Sequence, residues 1–127
     1  MGVQLNHTIV ACRDQERSAA FLTEILGLPA PTRFGHFTVV ATDNGVSLDF
    51  SQTDGDIKAQ HYAFLIGEED FDAIFGRITG QGLPYWADPG KRRPGEINRN
   101  DGGRGVYFSD PDGHLLEVIT RPYGSGS

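Results

Sequence analysis

Apolar and polar positions along the chain change period in a fixed order, and that order occurs twice. Leu5-Asn6-His7-Thr8-Ile9-Val10 and Gln60-His61-Tyr62-Ala63-Phe64-Leu65-Ile66 are runs of β-branched and aromatic residues, each with a histidine near its start, and both predict strands. After the first, Asp14 precedes a stretch in which Phe21, Leu22, Ile25 and Leu26 share one helical face. After the second, Glu68-Glu69-Asp70 places negative charge at a helix start, and Phe71, Ile74, Phe75 and Ile78 follow at i, i+3, i+4 and i+7. Both predicted helices run into one tripeptide, Gly27-Leu28-Pro29 and Gly82-Leu83-Pro84, where glycine can adopt a left-handed cap and proline forbids continuation.

Short strands follow in each half, at 37–41 and 46–50 and then at 105–108 and 115–120. Asp43-Asn44-Gly45 and Asp110-Pro111-Asp112-Gly113 join them as hairpin turns, because Asn and Gly tolerate positive φ and Pro pre-sets a turn. The turn glycine stands four residues before a carboxylate both times, Gly45 before Asp49 and Gly113 before Glu117. The predicted class is α+β, with two tandem βαβββ modules at about 3–53 and 58–122 in one 127-residue domain. The second half is longer by an insertion at 88–103, a polar loop of a length that often carries function. Residues 123–127, with the Gly-Ser-Gly-Ser ending, are expected to form a flexible tail.

Composition narrows this picture. Hydrophobic residues make up 38% and charged residues 22%, which excludes a disordered or fibrous chain. Seventeen acidic against eleven basic residues give a net charge of −6, which disfavours nucleic acid as a partner, since phosphate-backbone binding depends on positive surface. Apolar runs are far shorter than the roughly 20 residues of a bilayer helix, and no charged-then-apolar leader opens the sequence, so no membrane role and a cytoplasmic location are expected. The single cysteine, Cys12, can form no internal disulfide; Arg13 beside it could favour a thiolate, but with no helix N-terminus or histidine neighbour in sequence the inert reading leads.

The repeat also organises the chemistry. Equivalent positions of paired modules converge, so His7, Asp49, His61 and Glu117 are candidates for one cluster. Two imidazoles with one or two carboxylates suit a divalent first-row metal with positions left open for substrate. Glu117 stands out, since a charge within Leu115-Leu116-Glu117-Val118-Ile119 is costly in a buried strand unless paired or metal-bound. Asp49 is a fourth candidate ligand or a base, with solvent exposure opposite Leu48 and Phe50 as its alternative. His36 and His114 adjoin turns and are expected to serve loop structure or solvent. Lys91, Arg92, Arg93, Arg99 and Arg104 concentrate positive charge around the insertion and suggest an anionic or polar substrate, a solvated loop being the alternative. Tyr85, Trp86 and Tyr107 flank it and could form an apolar wall with polar tips, or core.

With Leu5-Asn6-His7, the helix ending Leu26-Gly27-Leu28-Pro29, His61 at the second module's start and Tyr107-Phe108-Ser109-Asp110-Pro111-Asp112-Gly113-His114-Leu115-Leu116-Glu117, the chain resembles the vicinal oxygen chelate superfamily. That superfamily includes glyoxalase I, extradiol dioxygenases, fosfomycin-resistance thiol transferases and bleomycin-binding proteins. The resemblance implies a cup-shaped mixed sheet and a homodimer. It also implies a metal (Mn, Fe, Ni or Zn) on His7, His61 and Glu117, with Asp49 at the fourth position of glyoxalase I. The segment Asn98-Arg99-Asn100-Asp101-Gly102 with Tyr107 is similar to the ion-binding loop and substrate tyrosine of the thiol transferases.

The function expected is a metal-dependent enzyme of glyoxalase, thiol transferase or dioxygenase type, acting on a small oxygen-bearing substrate with the metal as Lewis acid. Glu117, Asp49 and Tyr107 are its catalytic candidates, and Arg99, Arg104, Tyr107 and Trp86 its substrate-binding candidates. The rival reading is a metal-free protein that sequesters a drug or metabolite, as bleomycin-binding relatives do.

Overall fold

The structure, a computed structural model, describes residues 2–126. Its elements follow the order β1 (His7–Cys12), α1 (Gln15–Leu26), β2 (Thr32–Phe34), β3 (Phe37–Ala41), β4 (Ser47–Gln52), β5 (His61–Leu65), α2 (Glu68–Gly80), β6 (Tyr85–Trp86), β7 (Gly105–Ser109) and β8 (Leu115–Ile119). This is βαβββ twice, and the chain divides into two compact units between Lys58 and Ala59. β1 and β8 run one or two residues off the predicted limits. β2 and β6 are short strands that no hydrophobic alternation marked.

Each unit builds one four-stranded mixed sheet, ordered β1-β4-β3-β2 in the first and β5-β8-β7-β6 in the second. The first and last strands of each unit pair in parallel, and the remaining pairs are antiparallel. The pleat then sorts side chains to two faces. In the first unit Val10, Cys12, Val40, Leu48 and Phe50 are buried, together with Ala19, Leu22 and Ile25 of α1. In the second, Val106, Phe108, Leu116 and Val118 are buried with Phe71, Ile74 and Ile78 of α2, and Phe75 sets its ring edge-on to Tyr85 at 5.0 Å. Full burial of an aliphatic or aromatic side chain of this size contributes about 1.5–3 kcal/mol.

Local chemistry fixes the helix ends. Asp14 caps α1 by accepting the Arg17 backbone N–H at 3.1 Å, and Gly27 ends it at φ 72° with its N–H on the Thr23 carbonyl. The start of α2 has no side-chain cap, and Glu68, Glu69 and Asp70 meet the positive end of its dipole instead. Gly82 lies two residues beyond the end of α2, in the left-handed region at φ 67°.

Two expectations are corrected. The insertion at 88–103 is partly folded rather than a free loop: residues 93–95 turn back along β6, and Asn98 bridges Gly105 and donates to the Ala87 carbonyl at 2.9 Å. The tail does not hang free as far as Gly126, because the N–H groups of Gly124 and Gly126 donate to the two carboxylate oxygens of Asp101. Of the two roles expected for His114, loop structure is the one it has: it is 1% exposed, and its Nδ1 accepts the Gln60 N–H at 3.0 Å, tying the start of β5 to the β7–β8 turn. Among the described residues, no helix is long and apolar enough to cross a membrane.

Candidate metal centre

Strand register explains how Glu117 acquires its neighbours. Leu116 and Val118 on either side of it are buried with the core of the unit, so the pleat turns Glu117 to the opposite face. On that face the parallel pairing with β5 sets Ala63 opposite Glu117 and His61 opposite Leu115. The antiparallel pairing with β7 sets Tyr107 opposite Glu117, and β6 adds Trp86 opposite Tyr107. Trp86, Tyr107, Glu117 and His61 therefore share one face of one sheet.

The contacts within this row are specific. His61 Nε2 lies 3.0 Å from Glu117 Oε1, and the His61 ring stacks with Tyr107 at 5.8 Å between centroids. His61 Nδ1 is 3.1 Å from the Leu115 carbonyl oxygen. A carbonyl and a carboxylate can only accept, so Nδ1 donates to Leu115, and Nε2 faces the Glu117 oxygen across a gap that a proton, or a metal ion in its place, would bridge. The carbonyl fixes the ring orientation through Nδ1, so it is Nε2 that would serve as the metal-binding nitrogen. Glu117 is 9% exposed, and the Tyr107 hydroxyl hydrogen-bonds to it. Burial first, then the bond to Glu117, pushes the Tyr107 phenol up to about 12, so it stays protonated as a donor. A buried carboxylate beside an imidazole nitrogen is a pair of donor types that fits a divalent cation.

The other predicted residues are distributed differently. In the first unit the register is the same, with Asp49 opposite Ile9 and His7 opposite Ser47. Asp49 is 8% exposed, so the solvent alternative is set aside, but it accepts from Ser47 Oγ at 3.1 Å, while His7 Nδ1 meets Asn6 Oδ1 at 2.7 Å. Among the described residues no three His, Cys, Asp or Glu side chains stand grouped as a ligand set. Of the four candidates, the structure thus joins His61 with Glu117.

Arg104 is not brought to Tyr107. It reaches α2, where it pairs with Glu68 and, at 2.8 Å, with Asp72, and its guanidinium lies 4.4 Å over the Phe71 ring. Arg99 lines the same side, in a cleft with Arg104, Thr120 and Arg121. The spacing of Glu68 and Asp72, one helical turn apart, was the available signal for this attachment; Arg121 carried no such signal in the sequence. Lys91, at φ 60°, lies 4.6 Å over the Trp86 ring, so a cation from the insertion does sit at the edge of the Glu117 face.

A sheet face that displays a histidine–glutamate pair beside a protonated tyrosine, in a tandem βαβββ frame, defines an α+β protein built on two repeated modules. Residues 4–118 match the model of the Glyoxalase/Bleomycin resistance protein/Dioxygenase superfamily, and the chain belongs to that family. Among solved structures it is similar to the oxidase ChaP-H1, at 65% identity and a TM-score of 0.95, covering 97% of this chain and 99% of that one. It is also similar to the oxidase ChaP-H2, at 63% identity and a TM-score of 0.97 over 100% of both chains. A curated relative, the metallothiol transferase FosB of Shouchella clausii, is 33% identical over 91% of this chain and 79% of its own length.

Proposed function

We propose that the protein is a metal-dependent oxidase of a small oxygen-bearing organic substrate, with His61, Glu117 and His7 as metal ligands. The observation that carries this reading is the His61–Glu117 pair, with Nδ1 of His61 fixed by the Leu115 carbonyl. High identity to two chains named oxidases favours oxidation over thiol transfer, although the metallothiol transferase keeps that second activity in the test. When bound, the metal supplies a Lewis acid that draws negative charge onto a substrate oxygen.

The remaining work falls to the chain itself. The Leu115 carbonyl holds the His61 ring, and the Tyr107 hydroxyl holds the Glu117 carboxylate, so both donors keep their aim. The Tyr107 oxygen, with its one proton directed to Glu117, can accept a hydrogen bond from a substrate hydroxyl that approaches Glu117. Trp86 forms an apolar wall beside it, and Lys91 adds a positive charge that suits an anionic or polar substrate. His7 enters as the third ligand by its equivalence to His61 in the repeat, and Asp49 by its equivalence to Glu117 as the nearby base.

The test is metal analysis of purified protein followed by dioxygen uptake with a panel of phenols, quinols and α-hydroxy ketones. About one metal per chain and substrate-dependent uptake support the reading. Glutathione consumption in place of dioxygen uptake selects thiol transfer. Tight ligand binding by chelator-treated protein, with no turnover in any metal form, overturns both in favour of a binding protein. Mixing His7→Ala with Glu117→Gln chains then decides the homodimer question, since metal binding recovers in the mixture only if one site draws ligands from two copies.

A further inference from the structure

The helix-side face of the second sheet carries a cleft of about 510 Å³ that the metal-site reading does not use. Its wall includes Arg99, Arg104 and Arg121 against one carboxylate, Glu68, on a chain whose net charge is −6. Arg104 is already engaged, holding Glu68 and Asp72. Among the described residues Arg99 and Arg121 have no ion-pair or hydrogen-bond partner. Among the described residues, two uncompensated guanidinium groups therefore line a concavity whose one carboxylate is neutralised from the side.

The backbone here is shaped for close approach. Asp101 and Gly102 adopt left-handed φ values of 58° and 80°, and the Asp101 carboxylate is occupied by the N–H groups of Gly124 and Gly126. A Cβ on Gly103 would lie 2.7 Å from Arg121 Cγ, so only glycine lets that side chain pack down at the cleft. Guanidinium groups present planar forks of donors that match an oxyanion in a bidentate manner.

We propose that this cleft binds a phosphate-type oxyanion, as free phosphate or as the phosphate end of a soluble organic molecule, on the face opposite Glu117. Arg99 and Arg121 supply the charge-assisted hydrogen bonds, and Arg104 holds Glu68 away from the anion.

The test is an amide-resolved NMR titration of the full chain with inorganic phosphate and with glycerol 3-phosphate, at constant ionic strength, in metal-loaded and chelator-treated protein. The expected result is a saturable shift of the Gly102, Gly103 and Thr120 amides in both forms, weakened about tenfold in Arg99→Gln and in Arg121→Gln. Both side chains are exposed, so a dispersed spectrum verifies that the variants fold. Lys58→Gln, at an exposed cation of the first unit with no part in either proposed site, leaves the affinity unchanged. Tighter binding of glycerol 3-phosphate assigns the cleft to an organic phosphate, and equal affinities assign it to the free anion. Absence of a saturable shift overturns the proposal, as does equal weakening by Lys58→Gln, which would show only general attraction.

Discussion

The two units place a histidine and a carboxylate in the same strand register, yet only one of them makes a pair. Asp49 stands opposite Ile9, two residues after His7, just as Glu117 stands opposite Ala63, two residues after His61. In the second unit the longer glutamate reaches back along the pleat to the imidazole, whereas in the first the aspartate bonds to Ser47 and His7 meets Asn6. Across the antiparallel neighbour, Tyr107 faces Glu117 where Val39 faces Asp49, so the first unit also lacks the phenol that holds the carboxylate. A repeated backbone thus supplies positions, and one methylene with one hydroxyl decides which module makes the pair.

Removing the charge that distinguishes the modules has the largest expected effect. Glu117→Gln keeps the shape of the side chain but not its negative donor, and metal affinity and turnover fall at least about 100-fold, as read by elemental analysis and dioxygen uptake. Retention of metal in this variant would break the comparison at its root. The next effect is that of Tyr107→Phe, which keeps the ring stacked near His61 and deletes the hydroxyl on Glu117. Turnover drops about tenfold, with metal content little changed, because what is lost is one hydrogen bond that positions a ligand. Asp49→Asn, the counterpart in the first unit, alters metal content by less than about twofold, because Asn still accepts from Ser47. A loss matching that of Glu117→Gln would make Asp49 a ligand equal to Glu117.

Much of this contrast was legible in the sequence because it depends on period and spacing. The repeated Gly-Leu-Pro after each helix and the glycine four residues before each carboxylate set the register that brings His61 to Glu117. Glu117 was conspicuous as a charge in an apolar strand, and its neighbours in the fold explain why it is tolerated. The route of the insertion was not legible. Its fold depends on the backbone contacts of residues 93–95 with β6 and on the Asn98 side chain, and neither leaves a hydrophobic period. Arg104 was misread for a related reason, since a charge beside the site in sequence is sent by the pleat to the other face, where α2 offers two carboxylates.

The smallest effect concerns the turns that carry the two carboxylates into place. The turn of the first unit closes with exposed Asp43 and Gly45, whereas that of the second buries much of Asp110, which accepts N–H groups from Asp112 and His114 at 2.9 and 2.8 Å. Burial raises the Asp110 carboxyl above its ordinary 3.8, outweighing those bonds and the nearby His114. A raised carboxyl binds its proton more tightly in the folded chain, so its contribution to stability is fully present below pH 3.8 and is lost as pH rises through the raised value. Carboxylates such as Glu68 and Asp72, lowered by their hydrogen bonds to Thr120 and Arg104, act in the opposite sense and lose their contribution as pH falls. Asp110→Asn keeps the oxygen that accepts both N–H groups and removes the titration. The difference in Tm between the variant and the parent chain therefore grows in the variant's favour between pH 3 and pH 7, by at most about 4 °C. A difference that stays flat, or that grows in favour of aspartate, would show that the N–H groups of the turn outweigh burial, and that the second turn holds its carboxylate charged.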